Sequence, residues 1–475
     1  MTQAKSVTKK AIKTHSSQYD VYRLGADPRC HVSTNSFETR RNNNIMVIGA
    51  SGSGKTTSIT VPMLLHSRFT NPVAIFTKRP LMLKVARYLR KARQMDVTIL
   101  DIAQPEHSDV GYDPLQQCRN ATDVRDLCRC IVYKDASVGS TARDPYWEDS
   151  AVDLLECLTE YAQCGPHGEG TMSRVLELLD EFRFVPVDGQ SGDAYGTTLQ
   201  GKITKYLPQI THRTSILGAW NAFTNLASNT ARCVVSSLRT PVDNVFTADI
   251  RNFLKKEEQF RVESLLQKNT ALFIYMSPVS SAHQRFTTLL TSQLFKNLYE
   301  LAEQQEDGRL PYPVNIICDD FSTSPIHGFP NMISVMREKN ISATILLQSL
   351  SQLRNIYGEA SAVTVCTNCD RVVYLGSNDL SSADEISRRA DVMVQDVLNM
   401  PIGEEYFFER GHRCVRTKCY DIFADPVYLE MLKVSDAVAK EEAKQRRAAE
   451  KAARERKEKI EEEIVSLLDI FDEQD

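Results

Sequence analysis

Gly49-Ala50-Ser51-Gly52-Ser53-Gly54-Lys55-Thr56 is a complete G-x-x-x-x-G-K-[ST] loop, and Ile45-Met46-Val47-Ile48 just before it is an apolar run of strand type. Such a loop binds phosphate where it leaves a strand and opens a helix, and the flanking residues supply that setting. Its glycines let successive backbone N–H groups turn toward phosphate oxygens, and the positive end of the following helix adds to the attraction. The expected cradle comprises Gly49, Ser51, Gly52, Ser53, Gly54, Lys55, Thr56 and Thr57. In this motif the lysine reaches the β- and γ-phosphates of a nucleotide and the Thr56 hydroxyl ligates Mg2+.

Outward from the loop, Thr57 to Phe69 reads as a helix that Pro62 kinks or ends early. Val73-Ala74-Ile75-Phe76 and Val97-Thr98-Ile99-Leu100 are β-branched runs separated by helical Leu81 to Arg93, the alternation of parallel βαβ units. From about 116 to 235 apolar residues recur at helical spacing (Leu154, Leu155, Leu158, Tyr161; Val175, Leu176, Leu179), which predicts an all-α domain inserted into the α/β one. Trp147 and Trp220 read as its core. Strand signals return at Leu272–Met276, Val314–Cys318, Ala343–Leu347 and Arg371–Leu375, with helical stretches at 280–306 and 329–340. The expected organisation is a lead-in over 1–40, a discontinuous nucleotide-binding domain over 41–115 and 236–430, the helical insert over 116–235, and a charged helical tail over 431–475.

Composition sets the limits. At 475 residues the chain exceeds one ordinary core, and 42% apolar with 25% charged residues describes a globular protein. The twelve cysteines are scattered, which reads as reduced thiols and not as a disulfide framework. No segment approaches the roughly 18 consecutive apolar residues of a membrane helix. The basic, polar start has no apolar core and is not a secretory signal; it reads as a disordered lead-in. A net charge of −4 means that any nucleic-acid contact is local. The tail segregates its charge. Lys440 to Lys459 holds nine basic and five acidic residues, and the last sixteen residues hold seven acidic ones and no Lys or Arg.

Ile316-Ile317-Cys318-Asp319-Asp320 is an apolar strand ending in two carboxylates. In a phosphate-loop ATPase the first such acid holds Mg2+ and the second polarises the attacking water. Strands also end in Asp simply to start a turn, but alongside an intact loop the pair reads as the acid half of the site. The strand ending at Leu347 delivers Gln348 to the same edge, where ligands of open α/β sheets sit. Gln348 is either a γ-phosphate sensor or a plain polar strand end.

Several blocks together resemble the conjugative coupling ATPases of type IV secretion, the TraG/TraD class. They are Arg40-Arg41-Asn42 before the loop, Gly111-Tyr112-Asp113-Pro114-Leu115, and Asp144-Pro145-Tyr146-Trp147. Further along come Cys318-Asp319-Asp320-Phe321, Gln348-Ser349-Leu350-Ser351-Gln352-Leu353 with Tyr357-Gly358, and Ile386-Ser387-Arg388-Arg389 with Met400-Pro401. The similarity runs from about 40 to 425. It implies a RecA-like P-loop NTPase of α/β class with a central, mostly parallel sheet, an inserted all-α domain, ATP and Mg2+ as cofactors, and a homo-hexameric ring. The implied activity is ATP-driven recruitment and pumping of DNA, single-stranded with bound relaxase, to a type IV secretion channel. Arg337 falls where the family places an arginine that acts on a neighbouring subunit's γ-phosphate; the alternative is a surface arginine beside Glu338 and Lys339.

Three departures bear on this reading. The family's Asp-Glu is Asp319-Asp320 here, and the shorter second side chain sets its carboxylate further back. Phe76-Thr77-Lys78-Arg79-Pro80 stands where many members have Asp-Pro-Lys-Gly-Glu. Most members begin with membrane helices and this sequence does not, so a cytoplasmic chain, held at the membrane through a separate anchor protein, is expected. Two other function classes stay open: a non-motor, nucleotide-dependent recruitment adaptor, and a related DNA-segregation or packaging translocase. Cys366-x-x-Cys369 with Cys414-x4-Cys419 approaches a zinc spacing, but the first pair lies in an ordinary segment leading into a strand, and zinc is not expected.

Overall fold

The computed structural model describes residues 19–133, 145–166, 168–182 and 198–472. The lead-in up to 18 and Asp144 lie outside them. The strands are β1 (Val21–Arg23), β2 (His31–Ser33), β3 (Ile45–Ile48), β4 (Asn71–Phe76), β5 (Asp96–Asp101), β6 (Thr270–Tyr275), β7 (Val314–Cys318), β8 (Ile341–Leu347), β9 (Arg371–Tyr374), β10 (Glu404–Glu409) and β11 (Val415–Lys418). β1 and β2 pair as a small antiparallel ribbon, and the other nine form one sheet in the order β11-β10-β9-β3-β8-β7-β4-β6-β5. Neighbours from β9 through β5 run parallel, and β10 and β11 extend the sheet as an antiparallel hairpin.

The central parallel strands are buried on both faces, which is why they read as mostly apolar runs with little alternation. Alternate residues serve different layers. Met46, Ile48, Val73, Ile75, Ile316, Ile345 and Leu347 join a core shared with the helices between β5 and β6. Ile45, Val47, Ala74, Phe76, Ile317 and Leu346 face the other layer, with Leu64, Leu65, Val85, Leu89 and Met431.

Between Asp101 and Thr270 the described residues hold no strand. Among the described residues of this stretch there are seven helices of seven or more residues, from Ala121–Val132 to Ala248–Leu254. One of them, Ser228–Val245, runs across residue 235. Trp220 is buried there as expected, whereas Trp147 is 37% exposed and stands edge-on to Tyr146, outside the core. Trp147 stands in the first turn of Tyr146–Cys164, ahead of the buried stripe of that helix, which begins at Ala151.

The stretch after the phosphate loop is helical but not uniformly α. Thr56–Thr60 forms a π-helical turn, in which the Val61 N–H reaches back to the Thr56 carbonyl, and Val61–His66 continues as α-helix. Pro62 explains the change: it has no N–H to give the preceding turn, and the wider turn keeps its ring off the carbonyl four residues back. The final helix starts earlier than its charge pattern suggests, running Pro426–Asp472. It lies along Arg79–Arg93 through Tyr88 Oη to Glu430 (3.1 Å) and Arg87 Nε to Glu442 (2.9 Å).

One buried carboxyl stands out on the hairpin. Glu405 of β10 is fully buried, its carboxylate has no hydrogen-bond partner, and the weakly donating Cys419 thiol lies beside it. Gly25 is pressed against it, so that a Cβ there would lie 2.1 Å from Glu405 Oε1. Burial pushes the carboxyl up from 4.5 to about 8. The unfolded chain therefore ionises Glu405 well below the pH at which the folded chain does, and stability falls as pH rises from about 5 to 8. Glu405→Gln does not titrate. Its stability relative to the parent is expected to rise across that window by up to about 1.4 kcal/mol per pH unit. Urea unfolding at pH 5 and pH 8 checks this, and an unchanged difference at the two pH values would refute it.

Candidate nucleotide site

The phosphate loop hangs from three strand ends. The Gly49 N–H donates to the Leu347 carbonyl of β8 (3.0 Å), the Ala50 N–H to the Gly376 carbonyl beyond β9 (2.7 Å), and the Leu375 N–H to the Ile48 carbonyl (2.8 Å). Gly52 and Gly54 have φ of 81° and 91°, backbone that side-chain-bearing residues rarely adopt. A Cβ on Gly49 would meet Ser53 Oγ at 2.4 Å. Ser53 Oγ is itself buried without a hydrogen-bond partner. Ser51 is exposed at the loop's rim, and the Thr57 hydroxyl donates to the Gly54 carbonyl (3.0 Å), fixing the helix start.

The expected acid half arrives at the same place. Thr56 Oγ1 donates to both oxygens of Asp319, at 3.0 and 3.1 Å, across 263 residues of sequence. Asp319 is buried, and that burial holds its carboxyl above the usual range against the opposing pull of Thr56, Lys78 and Lys55. Lys55 Nζ curls over the loop to the Gly49 and Ala50 carbonyls. Burial pulls its ammonium below the usual range, with Asp319 and Asp320 resisting. A hydroxyl and a carboxylate in contact are the donor set of a hard, oxygen-loving cation. The orphaned Ser53 hydroxyl, the positive-φ glycines and Lys55 are donors suited to phosphate oxygens. These residues fit a magnesium nucleotide.

Asp320 follows in left-handed backbone, φ 64°, a region Asp tolerates better than most residues. Its carboxylate accepts from Ser322 Oγ (3.1 Å), and its carbonyl accepts the Thr323 N–H (3.1 Å). The second acid thus lies at the site's edge, engaged by its own turn. Gln348 lies at the carboxyl end of β8, between the loop and the acids, with its side chain exposed and its N–H donating to Gln352 Oε1 (3.0 Å). Arg337 is not part of this cluster. It sits in the turn Met336–Lys339 before β8, at the opposite edge of the sheet, exposed and donating to the Ser36 carbonyl (3.1 Å).

The other motif blocks hold this arrangement together. Asp113 is buried and accepts from the Leu115, Gln116 and Met172 N–H groups, tying the chain leaving β5 to the helix Met172–Glu181; burial raises its carboxyl to about 6. Ser349 caps the helix Leu350–Tyr357, and Tyr357 Oη bonds both the N–H and the carbonyl of Ile326 (2.9 Å each), pinning the loop that follows the acid pair. Asn42 bridges to Asp370 at the start of β9. Cys366, Cys369, Cys414 and Cys419 are free thiols, and no group of three metal-ligating side chains occurs among the described residues. Sequence reading gave no role to Lys78 and Arg79, which follow β4, the strand paired with β7 that leads into Asp319. Two adjacent cations opening a helix were the available signal.

A twisted parallel sheet of this order, with the loop after a central strand and the acids two strands away, is the RecA-like nucleotide-binding fold. The chain belongs to the type IV secretory system conjugative DNA transfer family, whose model matches residues 1–391. Among solved structures it is similar to the bacterial conjugative coupling protein TrwB lacking 70 N-terminal residues, in complex with sulphate. That match has a TM-score of 0.60 at 16% identity and covers 81% of this chain and 88% of that one. TrwB in complex with the ATP analogue ADPNP matches with a TM-score of 0.59 at 16% identity, over 81% and 87%. VirB4 of Thermoanaerobacter pseudethanolicus matches with a TM-score of 0.52 at 13% identity, over 86% and 97%. No curated protein sequence matches. No described helix is long and apolar enough to cross a membrane.

Proposed function

We propose that this chain is the ATP-hydrolysing motor of conjugative transfer, moving single-stranded DNA with its bound relaxase to a type IV secretion channel. The observation that carries the reading is the Thr56–Asp319 contact, which joins the loop and the acid pair into one site. Family membership and the likeness to TrwB, itself seen with ADPNP, with GDPNP and with ADP and Mg2+, support ATP and Mg2+ as its ligands. Thr56 and Asp319 hold the cation, which when bound neutralises charge on the phosphates. Lys55, Ser51, Ser53, Thr57 and the loop N–H groups orient the phosphates, Asp320 takes the proton of the attacking water, and Gln348 reads the γ-phosphate. Arg337, at the far sheet edge, serves a neighbouring subunit in a homo-hexameric ring. The helical residues 116–235 act as an inserted domain, and the chain works at the inner face of the membrane through an anchor protein.

The engagement of Asp320 by Ser322 favours one second reading, a recruitment adaptor that binds ATP without turning it over. Steady-state ATP turnover with and without single-stranded DNA separates the two. Stimulation by DNA marks the motor, and tight nucleotide binding with no turnover marks the adaptor.

A further inference from the structure

Lys78 and Arg79 follow β4, the strand that pairs with β7, which leads into the acid pair. Ile75 of β4 lies opposite Cys318 of β7, and its carbonyl accepts the Asp319 N–H (3.3 Å), so the residues just past β4 border Asp319 and Asp320. Local physics disfavours cations there. Lys78 is the N-cap of Arg79–Arg93 and makes no capping hydrogen bond. Ser, Thr, Asp and Asn are preferred at that position, and positive charge at a helix N-terminus opposes the helix dipole.

The two cations differ in what meets them. Arg79 Nε donates to Asp101 Oδ2 (2.6 Å), a carboxylate buried at the end of β5. Lys78 is exposed, and no carboxylate of the described residues lies within ion-pair distance of it. The charged groups that face the end of β4 are those of the nucleotide site, since Asp319 and Asp320 follow β7 directly and β7 pairs with β4. A helix that opens on a cation with neither a capping hydrogen bond nor an ion-pair contact breaks a local rule, and such breaks concentrate at functional sites.

We propose that Lys78 is a second phosphate-contacting cation, meeting the terminal phosphate of ATP from the β4 side while Lys55 holds it from the loop side. The proposal rests on the nucleotide reading of the loop. It gives the unfavourable helix start a purpose, because an anion at that point satisfies both the cation and the helix N-terminus. ADP lacks the terminal phosphate, so Lys78 sets the preference for the triphosphate.

The test is calorimetric titration of the full chain with Mg-ADPNP and with Mg-ADP, for the parent, Lys78→Ala, Lys78→Arg and Lys55→Ala. Lys78→Ala is expected to weaken ADPNP about tenfold or more and to leave ADP within about twofold, as loss of one charge-assisted contact requires. Lys78→Arg should recover most of the ADPNP affinity, and the melting temperature should not fall. Equal weakening of both nucleotides, or no change in either, overturns the assignment. Lys55→Ala keeps the two levels apart. If it weakens neither nucleotide, the loop reading itself fails. If it weakens both while Lys78→Ala spares both, only the Lys78 assignment fails.

Discussion

Lys55→Ala is expected to reduce ATP turnover by at least about 100-fold and to abolish DNA transfer, with the fold intact. The size follows from removing a preorganised cation from developing phosphate charge, where one such donor is typically worth about 10²–10³ in rate. The fold is spared because Lys55 packs against no apolar core. Its contacts are the Gly49 and Ala50 carbonyls, and burial already disfavours its charge. Thermal stability of the variant should therefore match or exceed that of the parent. A soluble, folded Lys55→Ala protein that supports normal transfer would remove the motor from the mechanism.

A mixture of Lys55→Ala and Arg337→Ala chains should regain ATPase activity that neither variant has alone. β8 separates Arg337 from the loop edge by seven residues, about 23 Å of extended chain, so Arg337 cannot serve the site of its own subunit. In a head-to-tail ring an intact Lys55 can face an intact Arg337 across a mixed interface, and equal mixing with random assembly restores about a quarter of interfaces. Turnover across a series of mixing ratios should peak near equal amounts. A flat, inactive series, or full activity of Arg337→Ala alone, would assign Arg337 to its Ser36 contact and to the surface.

How far the sequence could be read follows from burial. β3, β4, β7, β8 and β9 lie inside a parallel sheet covered on both faces, so each shows as a short, mostly apolar run, broken only by single buried polar residues such as Asn315 and Thr344. β10 did not show, because Glu404-Glu405-Tyr406-Phe407-Phe408-Glu409 carries carboxylates inside and at both ends, and Glu405 is buried against every compositional expectation. β1 and β2, at three residues each, are too short for any periodicity. The loop and Asp319 were legible because their chemistry needs fixed residue types next to a strand. Their contact across 263 residues follows once both strands share a parallel sheet. What Arg337 and Lys78 can reach was not legible. Arg337's place depends on which sheet edge its turn occupies, and Lys78's on the β4–β7 register and on Asp101 taking up Arg79.

The most direct test of the motor is steady-state ATP hydrolysis by the purified chain, with Mg2+, in the presence and absence of single-stranded DNA, with Lys55→Ala as the blank. Turnover that rises on adding DNA and disappears in Lys55→Ala is the expected result. Tight binding of ATP with no turnover above the Lys55→Ala blank, whether or not DNA is present, would contradict it.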